Sequence, residues 1–180
     1  MKLIYISLII LLLSYFPQRQ HPGKERWTVK ICTDPLSNSI NTTPIFTNTS
    51  SLILLTAPHP FPKNDNSSRH AQEKQTYTIT TTIRGFKQET DGDYHIVVGD
   101  TSDHTMICEI PNPDYVNSSR FSAQIKATRS KFEQMFGIPS KYKKIQRKVT
   151  LTGVLFFDFI HGQTGVAPNG VELHPLLEIK

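Results

Sequence analysis

Cysteine is scarce in this sequence, and the metal-binding and redox patterns that use it are absent. The 180 residues include 2 cysteines, Cys32 and Cys108, which cannot form a disulfide framework but could form one bridge in an oxidising compartment. Met106, Cys108 and Ile110 share one face of a predicted strand, which favours a core cysteine over a paired one. No CxxC pair or Cys/His cluster has zinc-ligand spacing, so we predict no metal site from cysteine.

Motifs for common enzyme chemistry are lacking as well. Ser/His/Asp and Cys/His catalytic arrangements have no convincing match in the sequence. The run Gly162-Gln163-Thr164-Gly165 lacks the Lys-Ser/Thr that completes a phosphate-binding loop. We therefore predict no catalytic residue, no metal ligand and no cofactor, and favour a protein that is not an enzyme.

Long hydrophobic runs are limited to one at the N-terminus. Residues 1–16, MKLIYISLIILLLSYF, have the length of a signal-peptide core and fall short of the ~20 apolar residues that a membrane span needs. No small-x-small cleavage site follows, so an uncleaved anchor is the alternative. We predict that residues 1–20 are a signal peptide or N-terminal anchor. The remainder is then exported: periplasmic, secreted, or tethered to a membrane by its N-terminus.

Hydrophobic residues make up only 37% of the chain, and polar residues crowd into positions 37–75. Asn, Ser, Thr and Pro dominate there, which is typical of linkers and disordered segments. We predict that residues 21–75 form a polar, partly disordered N-terminal region with a short strand near 27–32. The core must then come from residues 76–180.

Residues 76–180 carry the periodic patterns of a folded domain. A helical stripe that ends before Gly137 lies between the third and fourth of five predicted strands. The stripe consists of Phe121, Ile125, Phe132, Met135 and Phe136. Alternating apolar residues predict the strands near 77–83, 94–98, 105–110, 148–157 and 171–179.

This order of elements predicts a mainly β fold, a five-stranded OB-like barrel with one α-helix between strands 3 and 4. Gly85 and Gly153 suit the strong curvature of a small barrel. Pro175 removes a hydrogen-bond donor from the last strand and therefore requires a sheet edge or a bulge. An SH3-like barrel is the rival fold, but it has no helix of this length in that position.

Three segments of the domain resemble one family. They are Asp91–Val98, Thr105–Pro111 and Phe156–Pro175, the last of which carries the run FFDF-HGQTGVAPN-ELHP. These segments are similar to a family of uncharacterised exported bacterial proteins. The resemblance covers residues 76–180, and more weakly 27–60. It implies a bacterial origin and a shared fold, and it brings no activity and no site residue.

Two loops of the predicted barrel gather polar side chains at one rim. OB barrels bind ligands across strands two and three, between the loops that here are Glu89–Asp93 and Phe159–Asn169. Such carboxylates and imidazoles could bind a metal ion or act in acid–base catalysis, or simply brace their loops through hydrogen bonds. His174 is predicted to face solvent or to brace a loop. The predicted ligand-binding residues are Asp91, Asp93, His95, Asp158, His161 and Gln163.

The net charge of +5 permits anionic partners without requiring them. Lysines between the helix and the fourth strand could contact a polyanion, with a tyrosine for stacking. A solvated surface is the alternative. The predicted contact residues are Lys141, Tyr142, Lys143 and Lys144.

The predicted function is a non-catalytic binding or interaction module that uses the loop rim. Its partner would be a protein, a glycan or another polyanion, with membrane contact only through an uncleaved N-terminus. One alternative is a metal-dependent, nuclease-like hydrolase on the same barrel. The turn Asp91-Gly92-Asp93 resembles that of OB-fold thermonucleases, but the arginine expected after strand three is missing. The other alternative is a structural cell-envelope protein.

Overall fold

Six strands form one mixed sheet in the computed structural model, which describes residues 25–62, 67–100 and 104–180. The predicted signal peptide or anchor lies outside these residues. The strand order is β1-β2-β3-β4-β6-β5, and β2 also pairs with β5, so hydrogen bonds close a ring through five strands. The pairs β1–β2 and β4–β6 are parallel and the others antiparallel. The strands are β1 (Asn41–Thr47), β2 (Gln75–Gln88), β3 (Tyr94–Gly99), β4 (Thr105–Ile110), β5 (Lys143–Phe157) and β6 (Val171–Ile179).

Strand β2 holds the ring together because it pairs with β3 along one edge and with β5 along the other. Threonine and β-branched residues fill it, and these side chains suit a pleated surface. Both pairings shift register between Ile83 and Gly85, so β2 carries a β-bulge at this glycine. Tyr142 lies directly over Gly85, where an added Cβ would come 2.4 Å from the phenol oxygen.

The β5–β6 pairing contains a second irregularity. Gly153 lies opposite Leu176, while Leu155 lies opposite Leu173, so Pro175 falls in a bulge where no ladder donor is needed. An added Cβ at Gly153 would come 2.9 Å from Leu173, which explains the absence of a side chain. The expected bulge at Pro175 is therefore confirmed.

Helix α3 (Ser122–Phe136) lies between β4 and β5, as predicted, and is the one helix longer than five residues in the described part of the chain. Phe132 packs edge-on against Phe86, with ring centroids 5.0 Å apart. Met135 was predicted to face the core but is 39% exposed. The mainly β class with one substantial helix is thus confirmed.

The N-terminal part of the described chain differs from the prediction. Residues 27–32 do not form a strand, because Trp27–Lys30 is a short helix, α1. A second short helix, α2 (Thr49–Ile53), follows β1. Val29, Ile40 and Leu52 are buried, so this region contributes to the core that the sequence assigned to later residues alone.

Two buried ion pairs explain this order. The Arg26 guanidinium donates to Glu73 Oε1 at 2.7 Å and to the Phe157 carbonyl at 3.0 Å. Arg69 donates to Asp34 Oδ1 at 2.7 Å. The first pair attaches the start of α1 to the end of β5, and the second attaches the residues after α1 to the segment before β2. No helix of the described residues is long and apolar enough to cross a membrane.

Candidate functional site

All six side chains predicted to bind a ligand line one cavity of about 120 Å³ at the end of the strand ring. The six residues predicted from sequence therefore lie together along one side of a cavity. The other lining residues are Glu25, Trp27, Lys30, Glu89, Glu109 and Glu172. Seven carboxylates and one lysine thus line this cavity, although the chain as a whole has a net charge of +5.

Strand pairing explains why these side chains meet. His95 on β3 lies directly opposite Glu109 on β4. The parallel pairing of β4 with β6 sets Glu172 beside Ile107, which lies two residues before Glu109 on β4. Asp158 follows the last residue of β5, and α1 covers the cavity with Trp27 and Lys30.

The turn between β2 and β3 is braced to the segment after β4. Asn112 donates its backbone N–H to Asp93 Oδ1 at 2.7 Å and its side-chain amide to the Asp91 carbonyl at 3.0 Å. Asp93 is buried, and burial together with the charges of Asp91 and Glu109 raises the pKa of its carboxyl well above the usual range. The turn is therefore rigid, and one of its acids is held away from water.

Glu109 lies between two histidines. Its Oε1 is 3.3 Å from His95 Nδ1, and its Oε2 is 3.0 Å from His174 Nε2. Burial would raise the pKa of Glu109, but contact with His174 and His95 and the charge of Lys30 lower it well below the usual range. The two histidines and Lys30 therefore favour the ionised form of Glu109 at the centre of the site.

Backbone carbonyls determine which nitrogen of each histidine carries hydrogen. A carbonyl oxygen only accepts, so His174 Nδ1 donates to Lys30 at 3.0 Å and His95 Nε2 donates to Thr164 at 2.9 Å. The remaining nitrogen of each ring faces Glu109. If this nitrogen is protonated, the ring is a cation that pairs with the carboxylate. If it is not, its lone pair faces the carboxylate, and a cation is needed between them. The pKa of His95 is raised: burial opposes the shift, but contact with Glu109 outweighs it.

Glu172 and Lys30 complete the inner wall. Glu172 is 1% exposed, and its Oε2 has no hydrogen-bond partner among the described residues. Burial, followed by the charges of Asp158 and Glu109, raises the pKa of Glu172 well above the usual range. Lys30 Nζ lies 3.3 Å from Asp158 Oδ2. Burial would lower the pKa of Lys30, but the charges of Glu109, Asp158 and Glu172 raise it.

The loop between β5 and β6 forms the rim. Gln163 accepts the backbone N–H of His161 at 2.9 Å and donates to the Phe159 carbonyl at 2.7 Å. His161 is exposed and stacks on Phe159, with ring centroids 5.7 Å apart. Loop bracing is therefore the observed role of Gln163, and His161 is the outermost imidazole of the cavity.

Sequence reasoning missed the inner residues of the site. His174 is fully buried, so the expectation that it faces solvent is wrong. Glu172 and His174 alternate with apolar residues, which was the available signal for a shared face. This face of β6 is buried because α1 covers it. Asp93, Glu109 and His174 each offer one donor atom, and these atoms lie within 4.8 Å of one another.

The predicted polyanion contact lies elsewhere. Lys143 and Lys144 begin β5, whereas Asp158 follows its other end. Lys141, Lys143 and Lys144 are exposed, while Tyr142 is half-buried against Gly85. The basic segment and the acidic cavity are therefore separate regions at opposite ends of one strand.

No family model, no curated protein and no solved structure matches this chain. The resemblance to exported bacterial proteins stays a prediction, and the function is argued from the site alone.

Proposed function

We propose that this chain is a non-catalytic binding module on an OB-type barrel. The ring of β2, β3, β4, β6 and β5, with a parallel β4–β6 pair and α3 between β4 and β5, supports that fold. The OB ligand face corresponds to β3 and β4 with the β2–β3 and β5–β6 connections beside them. The acidic cavity lies at this position.

We infer that the ligand is a small cation. The observation that carries this inference is the convergence of seven carboxylates on one cavity in a chain of net charge +5. Like charges in a partly buried site repel one another, and a bound cation relieves that repulsion. Lys30 is the one lysine among the lining residues that the structure describes, and seven acids surround it, so the cavity favours cations over anions.

The size of the cavity further limits which ligands fit. Pockets for drug-sized molecules measure roughly 300–1,000 Å³, and this cavity measures about 120 Å³. It has room for a metal ion with a few waters, or for an organic ammonium ion of a few atoms. A polymer segment does not fit beside the inner acids, which supports binding over hydrolysis.

Thermal unfolding of the full, untagged chain tests this proposal. We expect Zn²⁺, Ca²⁺ or ethylenediammonium, added as chlorides, to raise Tm, and sodium chloride at matched ionic strength to leave it unchanged. A cation at 100 times its Kd stabilises by about 2.7 kcal/mol, which is a Tm shift of roughly 5–10 °C for a chain of this length. If no cation stabilises the chain more than sodium does, the proposal is wrong.

Variants at the cavity mouth locate the effect. Glu25→Gln and Asp91→Asn each remove a lining charge, so we expect both to weaken cation binding. Asp114→Asn is the matched control, because Asp114 is an exposed acid that does not line the cavity. Equal weakening by all three variants would mean a general charge effect and would contradict a defined site.

Export remains part of the proposed function. Residues 1–20 motivate a location outside the cytoplasm, in the periplasm, in the medium or at the membrane. Fractionation of cells that express the full chain tests this prediction, and recovery of the chain only in the cytoplasm would contradict it.

A further inference from the structure

We propose that the inner end of the acidic cavity binds a divalent first-row transition-metal ion through Asp93, Glu109 and His174. The proposal rests on the cation-binding function above and names the cation. The three ligands come from the β2–β3 turn, β4 and β6, and their donor atoms lie within 4.8 Å of one another. Metal–ligand distances in proteins are about 2.0–2.2 Å for nitrogen and oxygen donors. Donors around one ion are therefore under about 4.4 Å apart, and small side-chain movements suffice.

His174 is held in the orientation that a metal ligand needs. Its Nδ1 donates to the Lys30 carbonyl at 3.0 Å, which leaves Nε2 directed at the acids of the cavity. Metal-binding histidines almost always donate their second nitrogen to a carbonyl or a carboxylate in this way. His174 is fully buried in β6, so its ring has little freedom to turn away.

Two buried polar atoms at the inner end have no hydrogen-bond partner among the described residues: Glu172 Oε2 and His174 Nε2. Nε2 lies 3.0 Å from Glu109 Oε2, but the contact lacks the alignment of a hydrogen bond. Leaving such atoms unsatisfied is costly in a folded protein. An ion between Glu109 and His174 would satisfy Nε2, and Glu172, two residues before His174 on the same face of β6, is the candidate for a fourth ligand.

The donor types select the kind of ion. Mg²⁺ and Ca²⁺ prefer sites made entirely of oxygen atoms, whereas imidazole suits Zn²⁺, Co²⁺, Ni²⁺ and Fe²⁺. One imidazole with two or three carboxylates therefore points to this second group. Asp93 also has its orientation fixed, since Asn112 donates a backbone hydrogen bond to Oδ1 at 2.7 Å and leaves Oδ2 for the ion.

The ammonium group of Lys30 competes with the ion for the carboxylates of the cavity. Its Nζ contacts Asp158, and its positive charge interacts with Glu109 and Glu172. A metal ion bound to those acids would be repelled by this ammonium group. The backbone carbonyl of Lys30 still orients His174 after a side-chain change, so Lys30→Gln should preserve the site and remove the repulsion.

Titration of the full, untagged chain with Co²⁺ tests the site directly, because Co²⁺ develops visible absorption bands when it exchanges waters for protein ligands. We expect one equivalent to bind with such bands, and Zn²⁺ to displace it. Mg²⁺ and Ca²⁺ at millimolar concentration should not displace it. X-ray absorption at the zinc edge of the wild-type protein should detect one imidazole with oxygen neighbours. This measurement needs no variant to fold.

Two histidine variants form a matched pair. His174→Gln removes the proposed nitrogen ligand, and we expect it to weaken Co²⁺ binding at least about 100-fold, more than the loss of an outer-shell partner does. His104→Gln changes an exposed imidazole that does not line the cavity and should leave the affinity within about twofold. Lys30→Gln should bind Co²⁺ at least about tenfold more tightly, because it removes a nearby positive charge.

The outcomes separate this proposal from the cation-binding function. Absence of stoichiometric Co²⁺ or Zn²⁺ binding overturns the metal site; if ethylenediammonium still binds and depends on Asp91, the broader function stands. Binding that His174→Gln leaves unchanged in a folded protein also overturns the site, since the ion then sits at the mouth. Equal affinity for Ca²⁺, or a zinc spectrum without imidazole, overturns the choice of ion. If no cation binds, both proposals fail.

Discussion

The two cysteine thiols are buried in different parts of the molecule, Cys32 after α1 and Cys108 in β4, and neither is paired. Burial raises the pKa of Cys32 to about 12, although the neighbouring Arg69 opposes this shift. Burial raises the pKa of Cys108 as well. The thiolate is the reactive form of cysteine, so both residues are unreactive while the protein is folded.

We therefore expect a thiol reagent such as dithionitrobenzoate to modify neither cysteine in the native protein at pH 8. Both should react at once in guanidinium chloride, because unfolding exposes them to water and returns their pKa to the ordinary range. Release of the coloured thiolate, followed by absorbance, measures this. Rapid labelling of one thiol per native chain would contradict the burial of that cysteine.

Gly165 fixes the rim loop to the sheet. Its φ is +83°, and an added Cβ would come 2.4 Å from Val97 of β3. The adjacent residue, Thr164, accepts the hydrogen bond from His95. Close packing at Gly165 therefore positions both the rim of the cavity and one of its imidazoles.

We expect Gly165→Ala to destabilise the fold more than Gly162→Ala does. Gly162 also has a positive φ, +88°, but an added Cβ would meet nothing within 4 Å. Both changes carry a backbone cost of about 1–2 kcal/mol, and the clash at Gly165 adds about 1–3 kcal/mol. Urea denaturation of both variants isolates the clash, and equal free energies of unfolding would mean that the loop moves away from Val97 without cost.

At the scale of secondary-structure elements, one buried ion pair determines where α1 lies. Arg26 and Glu73 are 47 positions apart, and their side chains are almost fully buried. Glu73 also accepts the backbone N–H of Phe157 at 2.9 Å, so the pair joins three segments. Helix α1 carries Trp27 and Lys30 over the cavity, so this ion pair indirectly builds the site.

We expect Glu73→Gln to lower the free energy of unfolding by about 3–5 kcal/mol, because it leaves the Arg26 charge buried without a counter-ion. The double change Arg26→Met with Glu73→Gln should recover most of that loss, since no uncompensated charge remains and an amide oxygen can still accept the Phe157 N–H. Glu178→Gln removes an exposed ion pair with Lys180 and should cost less than about 1 kcal/mol. Chemical denaturation measures all three, and a small loss in Glu73→Gln would show that α1 is held by other contacts.

The same elements show what could be predicted from sequence. The five later strands and α3 were found because each buries one periodic face, and the bulges at Gly85 and Gly153 follow from residue type. Helix α1 was predicted as a strand because its conformation depends on ion pairs with residues far along the chain. No local pattern encodes such a pairing.

The candidate site divides in the same way. Asp91, Asp93 and His161 were placed together because loops at one end of the predicted barrel must be neighbours. Glu109 and Glu172 were missed because charged residues on a strand usually face water. They face a cavity here only because α1 covers that side of the sheet, and the sequence did not predict α1.

At the scale of the whole molecule, charge is separated along the sheet. Seven of the 15 acidic residues line the cavity, whereas the predicted polyanion contact lies at the opposite end of β5. Its lysines are exposed, although Lys143 donates to the Phe136 carbonyl at 2.9 Å, and Tyr142 is held against Gly85. This segment can attract a polyanion by charge, but it offers no free aromatic face for base stacking.

We therefore expect weak binding to a fluorescent single-stranded oligonucleotide that falls steeply with salt. Replacing Lys141, Lys143 and Lys144 by Gln should reduce the salt dependence, log Kobs against log[salt], by about 2 units of slope, since each phosphate contact on a single strand contributes roughly 0.7. Replacing Lys126 and Lys131 on α3 is the control for a general loss of charge, and should change the slope less.

Tyr142→Leu should leave the affinity within about twofold, whereas loss of a stacked base would cost about 1–3 kcal/mol. Fluorescence anisotropy measures each case. A tenfold loss in Tyr142→Leu would mean that the tyrosine leaves Gly85 to stack on a base, and an unchanged slope in the triple variant would mean that the lysines make no phosphate contact.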